Sequence, residues 1–187
     1  MTTYCDTAPG HEWHGPYHDT EYGFPVSEEN ILFERLVLEI NQAGLSWLTV
    51  LKKREAFYAA YDGFDVDKVA AYRDVDRARL LGDSGIIRNK LKVNAAIENA
   101  KRIQALRATH GGFKSWLDQH HPLTKSDWVK LFKQTFLFTG GEITGEFLMS
   151  TGYLPGAHDP ACPITKRIAT VEPPWIGVAM EFWTSGD

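Results

Sequence analysis

Glu39 lies three residues after Leu36 and seven after Leu32, so in a helix it shares a face with residues that belong in a core. A buried carboxylate needs a partner or a task. Pairing with Arg35 or reaching solvent at the helix end would supply the partner. The residues that follow suggest the task. Gln42-Ala-Gly44-Leu45-Ser-Trp47 puts a polar amide, bare backbone, an apolar wedge and a large aromatic plane at one helix-to-helix corner. Such a corner can hold a planar base by hydrogen bonds and stacking, while a leucine fills the gap the base leaves.

Two further sets of residues carry chemistry. The chain has only two cysteines, and each stands near a histidine: Cys5 with His18, and Cys162 at the end of His158-Asp-Pro-Ala-Cys162. Two thiolates and two imidazoles form the ligand set of a closed tetrahedral zinc site, whose role would be structural because no position is left open. A disulfide is the alternative, but it leaves both histidines unexplained. The other set is Phe136-Leu-Phe-Thr139-Gly140-Gly141-Glu-Ile-Thr-Gly-Glu-Phe147. It follows an apolar helix containing Trp128, Leu131 and Phe132, and reads as a helix-hairpin-helix. Bare amides at such a turn and at a helix N-terminus can receive a phosphate, although Glu142 places a negative charge there. A plain αα-hairpin is the simpler reading.

The elements that must position these groups read as short helices. Ser27 is expected to cap a helix through Ile31–Ile40 that Gly44 ends, and Ser46 to cap the next, Trp47 to Tyr61, stopped by Gly63. Asp65 and Asp74 are expected caps of two brief helices. Leu91, Ala95, Ala96, Ile97, Ala100, Ile103 and Leu106 recur at helical spacing before His110-Gly-Gly112. Alternating strand patterns are absent, so the fold class is all-α. At 187 residues and 43% hydrophobic content the chain can bury one sizeable core. A single domain over 1–187 is expected, in which residues 166–187 fit no helix pattern. With a polar N-terminus and no run of about eighteen apolar residues, the chain is expected to be cytoplasmic with no membrane contact. A net charge of −4 argues against binding nucleic acid by bulk electrostatics. Lys52-Lys53-Arg54, Arg88 to Lys92, and Lys125, Lys130 and Lys133 are local basic candidates, or solvated helix faces.

Taken in order, Cys5, Tyr17-His18-Asp-Thr-Glu21-Tyr22-Gly23, Leu38-Glu39, Gln42 to Trp47, Val50 to Glu55, Gly85-Ile-Ile-Arg88 and His158-x-x-x-Cys162 resemble the 3-methyladenine DNA glycosylase I family. The resemblance implies a helix-hairpin-helix glycosylase-like helical domain, spanning 1–165, whose N- and C-terminal segments are joined by structural zinc on Cys5, His18, His158 and Cys162. It implies hydrogen bonds from Glu39 and Tyr17 to a flipped base, walls of Trp47 and Tyr22, and Glu39 as the catalytic group. Gly44 and Leu45 would occupy the duplex, with Thr139, Gly140 and Gly141 on phosphate. The implied activity is monofunctional hydrolysis of the N-glycosidic bond of N3-methyladenine by a monomer. Its partners are alkylated double-stranded DNA and free 3-methyladenine as product. A zinc-stabilised module that recognises damage without excision is the alternative. The chain departs from the family at Thr7 and Tyr22, where tryptophan is usual, at Ile40-Asn41, at Gly141-Glu142, and in a shorter segment between Pro122 and Trp128. The position of a sugar-facing aspartate in related enzymes falls near Gly156, and no water-orienting group emerges from the sequence.

Overall fold

The computed structural model describes residues 2–184, and among them the regular structure is helical throughout. Two short N-terminal helices, α1 (Tyr4–Thr7) and α2 (His14–Thr20), precede α3 (Glu29–Gln42) and α4 (Trp47–Ala60). A 3-10 turn (Asp62–Phe64) leads to α5 (Val66–Ala70), α6 (Asp74–Gly82) and the long α7 (Lys90–His110). Then come α8 (Phe113–His120), α9 (Lys125–Thr135), α10 (Gly141–Ser150), α11 (Pro163–Thr170) and α12 (Met180–Thr184).

The bundle is organised around α3, which packs on α4, α5, α7, α8 and α10. Leu32 through Asn41 are all buried, so beyond its first turn α3 has no solvent face. Its apolar residues, among them Phe33, Leu36, Val37 and Leu38, form one continuous core with Phe57, Ile97, Ile103, Trp128, Phe132 and Phe147. Burying a helix on all sides forces its polar residues to find partners inside the protein. Arg35 Nη2 donates to Glu21 Oε2 at 2.5 Å, Arg54 Nε to Glu34 Oε1 at 2.8 Å, and Asn41 Nδ2 to the Val37 carbonyl at 2.8 Å. Glu39, 3% exposed, makes no side-chain hydrogen bond among the described residues.

Most expected helix signals act as read. Ser46 Oγ accepts from Thr49 N at 3.2 Å, Asp65 Oδ1 accepts from Asp67 N and Lys68 N, and Gly111 closes α7 at φ 83°. Three do not. The residue before α3 is Glu28, not Ser27, and no side chain caps it. Asp74 begins α6, while Asp76 Oδ2 accepts from Arg73 N at 2.9 Å. Leu91, read as part of the apolar stripe, is 67% exposed, because the first turn of α7 buries the face that carries Lys92 and Val93 and leaves Leu91 outside it. After Lys166 the chain completes α11. Pro173 is buried, Trp175 N donates to the Gly152 carbonyl at 3.1 Å, and Trp183 packs on the main core.

α7 also carries two clamps. Asn99, fully buried, donates from Nδ2 to the Leu137 carbonyl at 3.0 Å and accepts from Leu137 N at 2.8 Å, fixing the turn between α9 and α10. Lys92 Nζ, 5% exposed as a residue, donates to the carbonyls of Asn41 at 2.9 Å and Ala43 at 2.6 Å, closing the C-terminus of α3. Replacing Asn99 by leucine keeps the branched outline of the side chain and strands both backbone groups of Leu137. A loss of about 2–4 kcal/mol in chemical denaturation is expected, and a change below about 0.5 kcal/mol would show that the clamp is idle.

Candidate active site

A cavity of about 240 Å³ lies between α2, α3, the start of α4 and α10, lined by Tyr4, Tyr17, Tyr22, Glu39, Gln42, Trp47 and Glu146. It holds every residue expected to grip or wall a base: Tyr17, Tyr22, Glu39 and Trp47. The rings do not form parallel plates. Tyr17 and Trp47 lie 5.1 Å apart at 58°, and Tyr17 and Tyr22 lie 5.7 Å apart at 32°. Beneath Tyr17 the guanidinium of Arg35 sits 5.1 Å from the ring centroid, itself held by Glu21, which also binds Arg54 at 2.7 Å. Thus the ion pairs of α3 brace the tyrosine.

Two buried polar groups on this lining have no hydrogen-bond partner among the described residues, the Glu39 carboxyl and the Trp47 indole N–H. Burial, reinforced by the charge of Glu146 and opposed by Arg35, pushes the Glu39 carboxyl up to about 8. At neutral pH burial thus favours the protonated carboxyl of Glu39. An unsatisfied carboxyl and an unsatisfied N–H facing one cavity could each bond a ligand that enters it.

A second cavity, of about 570 Å³, shares Glu39, Gln42 and Glu146 with the first and opens between Ala43-Gly44-Leu45 and Gly140-Gly141-Glu142-Ile143. The fold thereby brings the corner and the glycine turn together across one cleft. Gly44 has φ 79°, a conformation that a side chain disfavours, and Leu45 next to it is 44% exposed. A Cβ at Gly140 or Gly141 would meet nothing within 4 Å, so the turn presents bare backbone, at the N-terminus of α10. Thr139 stands apart: it is buried, its hydroxyl donates to the Phe136 carbonyl at 3.4 Å, and it lines a different depression beside Lys133 and Phe138. Its side chain secures the turn from inside. Glu142 is exposed, with Lys125 Nζ 3.9 Å away.

The ligand atoms of Cys5, His18, His158 and Cys162 all lie within 4.8 Å of one another, with both thiols free. Cys5 Sγ and Cys162 Sγ are 3.6 and 3.7 Å from His158 Nδ1, and Cys162 Sγ is 3.8 Å from His18 Nε2. Sulfur and nitrogen on one tetrahedral metal ion should be separated by roughly 3.6 Å, given the usual bond lengths. Outer hydrogen bonds also fit. His18 Nδ1 lies 2.7 Å from Asp19 Oδ1 and His158 Nε2 lies 2.8 Å from the Tyr22 carbonyl, so each ring can donate outward and turn its lone pair toward the cluster. The four residues can hold a metal ion.

Gln42, the polar amide expected at the corner, lines the slot; Glu146 and Tyr4 are not among the expected site residues. Glu146 had a legible signal, a carboxylate three residues after Ile143 and next to the apolar run Phe147-Leu-Met149. Tyr4 had none beyond its place next to Cys5. Of the basic runs, Lys53 binds the Ser84 and Gly85 carbonyls, Arg54 is ion-paired and Lys92 is buried, so these charges support the fold.

A base-sized slot that opens into a cleft between a wedge and a helix-hairpin-helix defines a helical glycosylase-like class, and comparison with known proteins specifies it. Residues 8–135 match the family model described as methyladenine glycosylase. The chain is 34% identical over 182 residues to the DNA-3-methyladenine glycosylase of Haemophilus influenzae, covering 87% of this chain and 98% of that protein. A crystal structure of 3-methyladenine DNA glycosylase I superposes with a TM-score of 0.77 at 32% identity, covering 85% of this chain and 97% of that one. The structure from Staphylococcus aureus, described as showing the basis of 3-methyladenine recognition, gives 0.78 at 28% identity, with 87% and 96% covered. The chain belongs to the methyladenine glycosylase family.

The raised Glu39 carboxyl has a consequence for stability. A carboxyl with its folded-state value above the ordinary 4.5 is at no disadvantage below that pH and weakens the fold as pH rises through about 8. Relative to Glu39→Gln, the unaltered protein should lose on the order of 4 kcal/mol between pH 5 and 9. Paired thermal melts across that range test this, and parallel curves for the two proteins would refute it.

Proposed function

We propose that the protein is a monofunctional DNA repair glycosylase that flips N3-methyladenine out of alkylated duplex DNA and hydrolyses its N-glycosidic bond. The observation that carries this reading is the buried Glu39 carboxyl, without a hydrogen-bond partner among the described residues, in an aromatic slot that opens beside the exposed Leu45. Alkylation at N3 makes the base cationic while it is still attached to the sugar, so it departs neutral and needs no strong general acid. Arrival of that cation drives the proton from Glu39, and the carboxylate then accepts hydrogen bonds from the amino edge of the base together with Tyr17. Trp47 and Tyr22 wall the slot with electron-rich faces that favour a cationic ring. Gly44 and Leu45 fill the duplex, and the backbone from Thr139 through Gly141 meets a phosphate.

The metal at Cys5, His18, His158 and Cys162 is zinc, and it is structural. The softness of two thiolates with two imidazoles and the near-tetrahedral separations support that choice. Bound there, zinc would supply cross-linking and folding free energy to one domain that includes the chain's tail. The protein works as a monomer in the cytoplasm; no helix among the described residues is long and apolar enough to cross a membrane. The catalytic names of the relatives favour excision over damage recognition without cutting.

Incubation with methylated duplex should release 3-methyladenine, identified by chromatography, and leave an uncut abasic strand. No lysine lines either cavity; Lys125 Nζ, the amine nearest the hairpin helix, faces Glu142. Borohydride should therefore trap no adduct. Glu39→Ala and Trp47→Ala should slow single-turnover release by roughly 10²-fold or more while the folded fraction stays unchanged. Loss of rate that merely follows loss of folded protein would make the slot structural.

For the metal, protein purified without added metal should contain one zinc per chain by elemental analysis, and a strong chelator should lower its melting temperature. A folded, reduced protein free of zinc would contradict the assignment.

A further inference from the structure

Glu39, Gln42 and Glu146 are the three residues that line both the base slot and the cleft below it. A nucleotide with its base in the slot and its phosphates in the cleft must pass its sugar between those two spaces, which places C1′ beside these three side chains. Glu39 and Gln42 lie on α3 and at its end, against the deep wall with Tyr17 and Trp47. Glu146 comes from the opposite side, on α10, the helix that leaves the glycine turn. Its carboxylate is aimed: Tyr22 Oη donates to Oε2 at 3.0 Å, and Oε1 has no hydrogen-bond partner among the described residues.

On the reading that this is a base-excising site, we propose that Glu146 is the catalytic carboxylate that faces the sugar, orienting the attacking water through Oε1 and stabilising the positive charge that develops on the sugar ring. The balance is simple. The bond from C1′ to the base nitrogen breaks with its electron pair going to the base, which leaves neutral. The water oxygen bonds to C1′, and the water's proton passes to Glu146 and on to solvent. Burial holds the Glu146 carboxyl above the usual carboxylate range, against the hydrogen bond from Tyr22 and the attraction of Lys125, and with the support of Glu142. A carboxylate so placed is a better proton acceptor than an exposed one. Tyr22 is the positioning residue of the pair.

The test is Glu146→Gln, which keeps the shape and the acceptor for Tyr22 but removes the charge. Single-turnover release of 3-methyladenine from methylated duplex should fall about 10²-fold or more, while the affinity for free 3-methyladenine stays within about threefold. Tyr22→Phe should lower the rate less, and should lower it no further when added to Glu146→Gln. A Glu146→Gln protein that releases base within about threefold of the unaltered rate overturns the assignment. So does one whose rate and free-base affinity fall together, which would make Glu146 a base-gripping residue. If the unaltered protein releases no base, the functional reading itself fails; release that ignores Glu146→Gln removes only this inference.

Discussion

The desolvation of Glu39 is the constraint on which the site depends. A carboxyl near the inner end of a largely buried helix has no hydrogen-bonding side chain or backbone group beside it among the described residues, and burial favours its protonated form. Around it three other polar side chains of that helix find partners, Arg35 in Glu21, Glu34 in Arg54 and Asn41 in the Val37 carbonyl. That contrast marks Glu39 as held in reserve. The same low-dielectric surroundings that raise the cost of a lone carboxylate would favour a cationic ring beside it, because opposite charges attract most strongly where water is excluded.

The Cys/His cluster and the slot are joined through a hydrogen bond of His158. His158 faces the cluster with Nδ1 and the Tyr22 carbonyl with Nε2, so fixing the imidazole also fixes the backbone that carries a slot wall. Tyr4 extends this link. It precedes Cys5, meets His18 edge-on at 5.5 Å, and lines the slot itself. The N-terminal arm is therefore part of the pocket, and tying it to the chain near Cys162 closes the slot as well as the fold.

On the other side, α7 sets the spacing of the two surfaces that would meet a duplex. Lys92 and Asn99 are seven residues apart, about two turns, and so project from one face. The first closes the corner carrying Gly44 and Leu45; the second holds the turn carrying Gly140 and Gly141. A buried ammonium is costly, and burial lowers its tendency to stay charged. Bonds to two carbonyls at a helix C-terminus, where the dipole favours a cation, offset that cost.

Local chemistry was legible in the sequence. Period-3.6 patterns and caps such as Ser46, Asp65 and Gly111 placed the helices, because those signals act within a turn of the chain. The Cys/His set and the run from Leu38 to Trp47 named the cluster and the corner, because residue type alone limits what such groups can do. Other features required the packed fold. Tyr4 and Glu146 enter the slot from chain positions 142 residues apart, and no local pattern encodes that meeting. Lys92 read as part of a basic patch, yet burial against the end of α3 makes it a clamp; Thr139 read as DNA-facing, yet its hydroxyl turns inward. The sequence by itself determined which groups could bind a metal, stack on a base or cap a helix. Only the tertiary structure decided which were stripped of water and which were paired, since desolvation and Coulomb attraction depend on neighbours brought together through space.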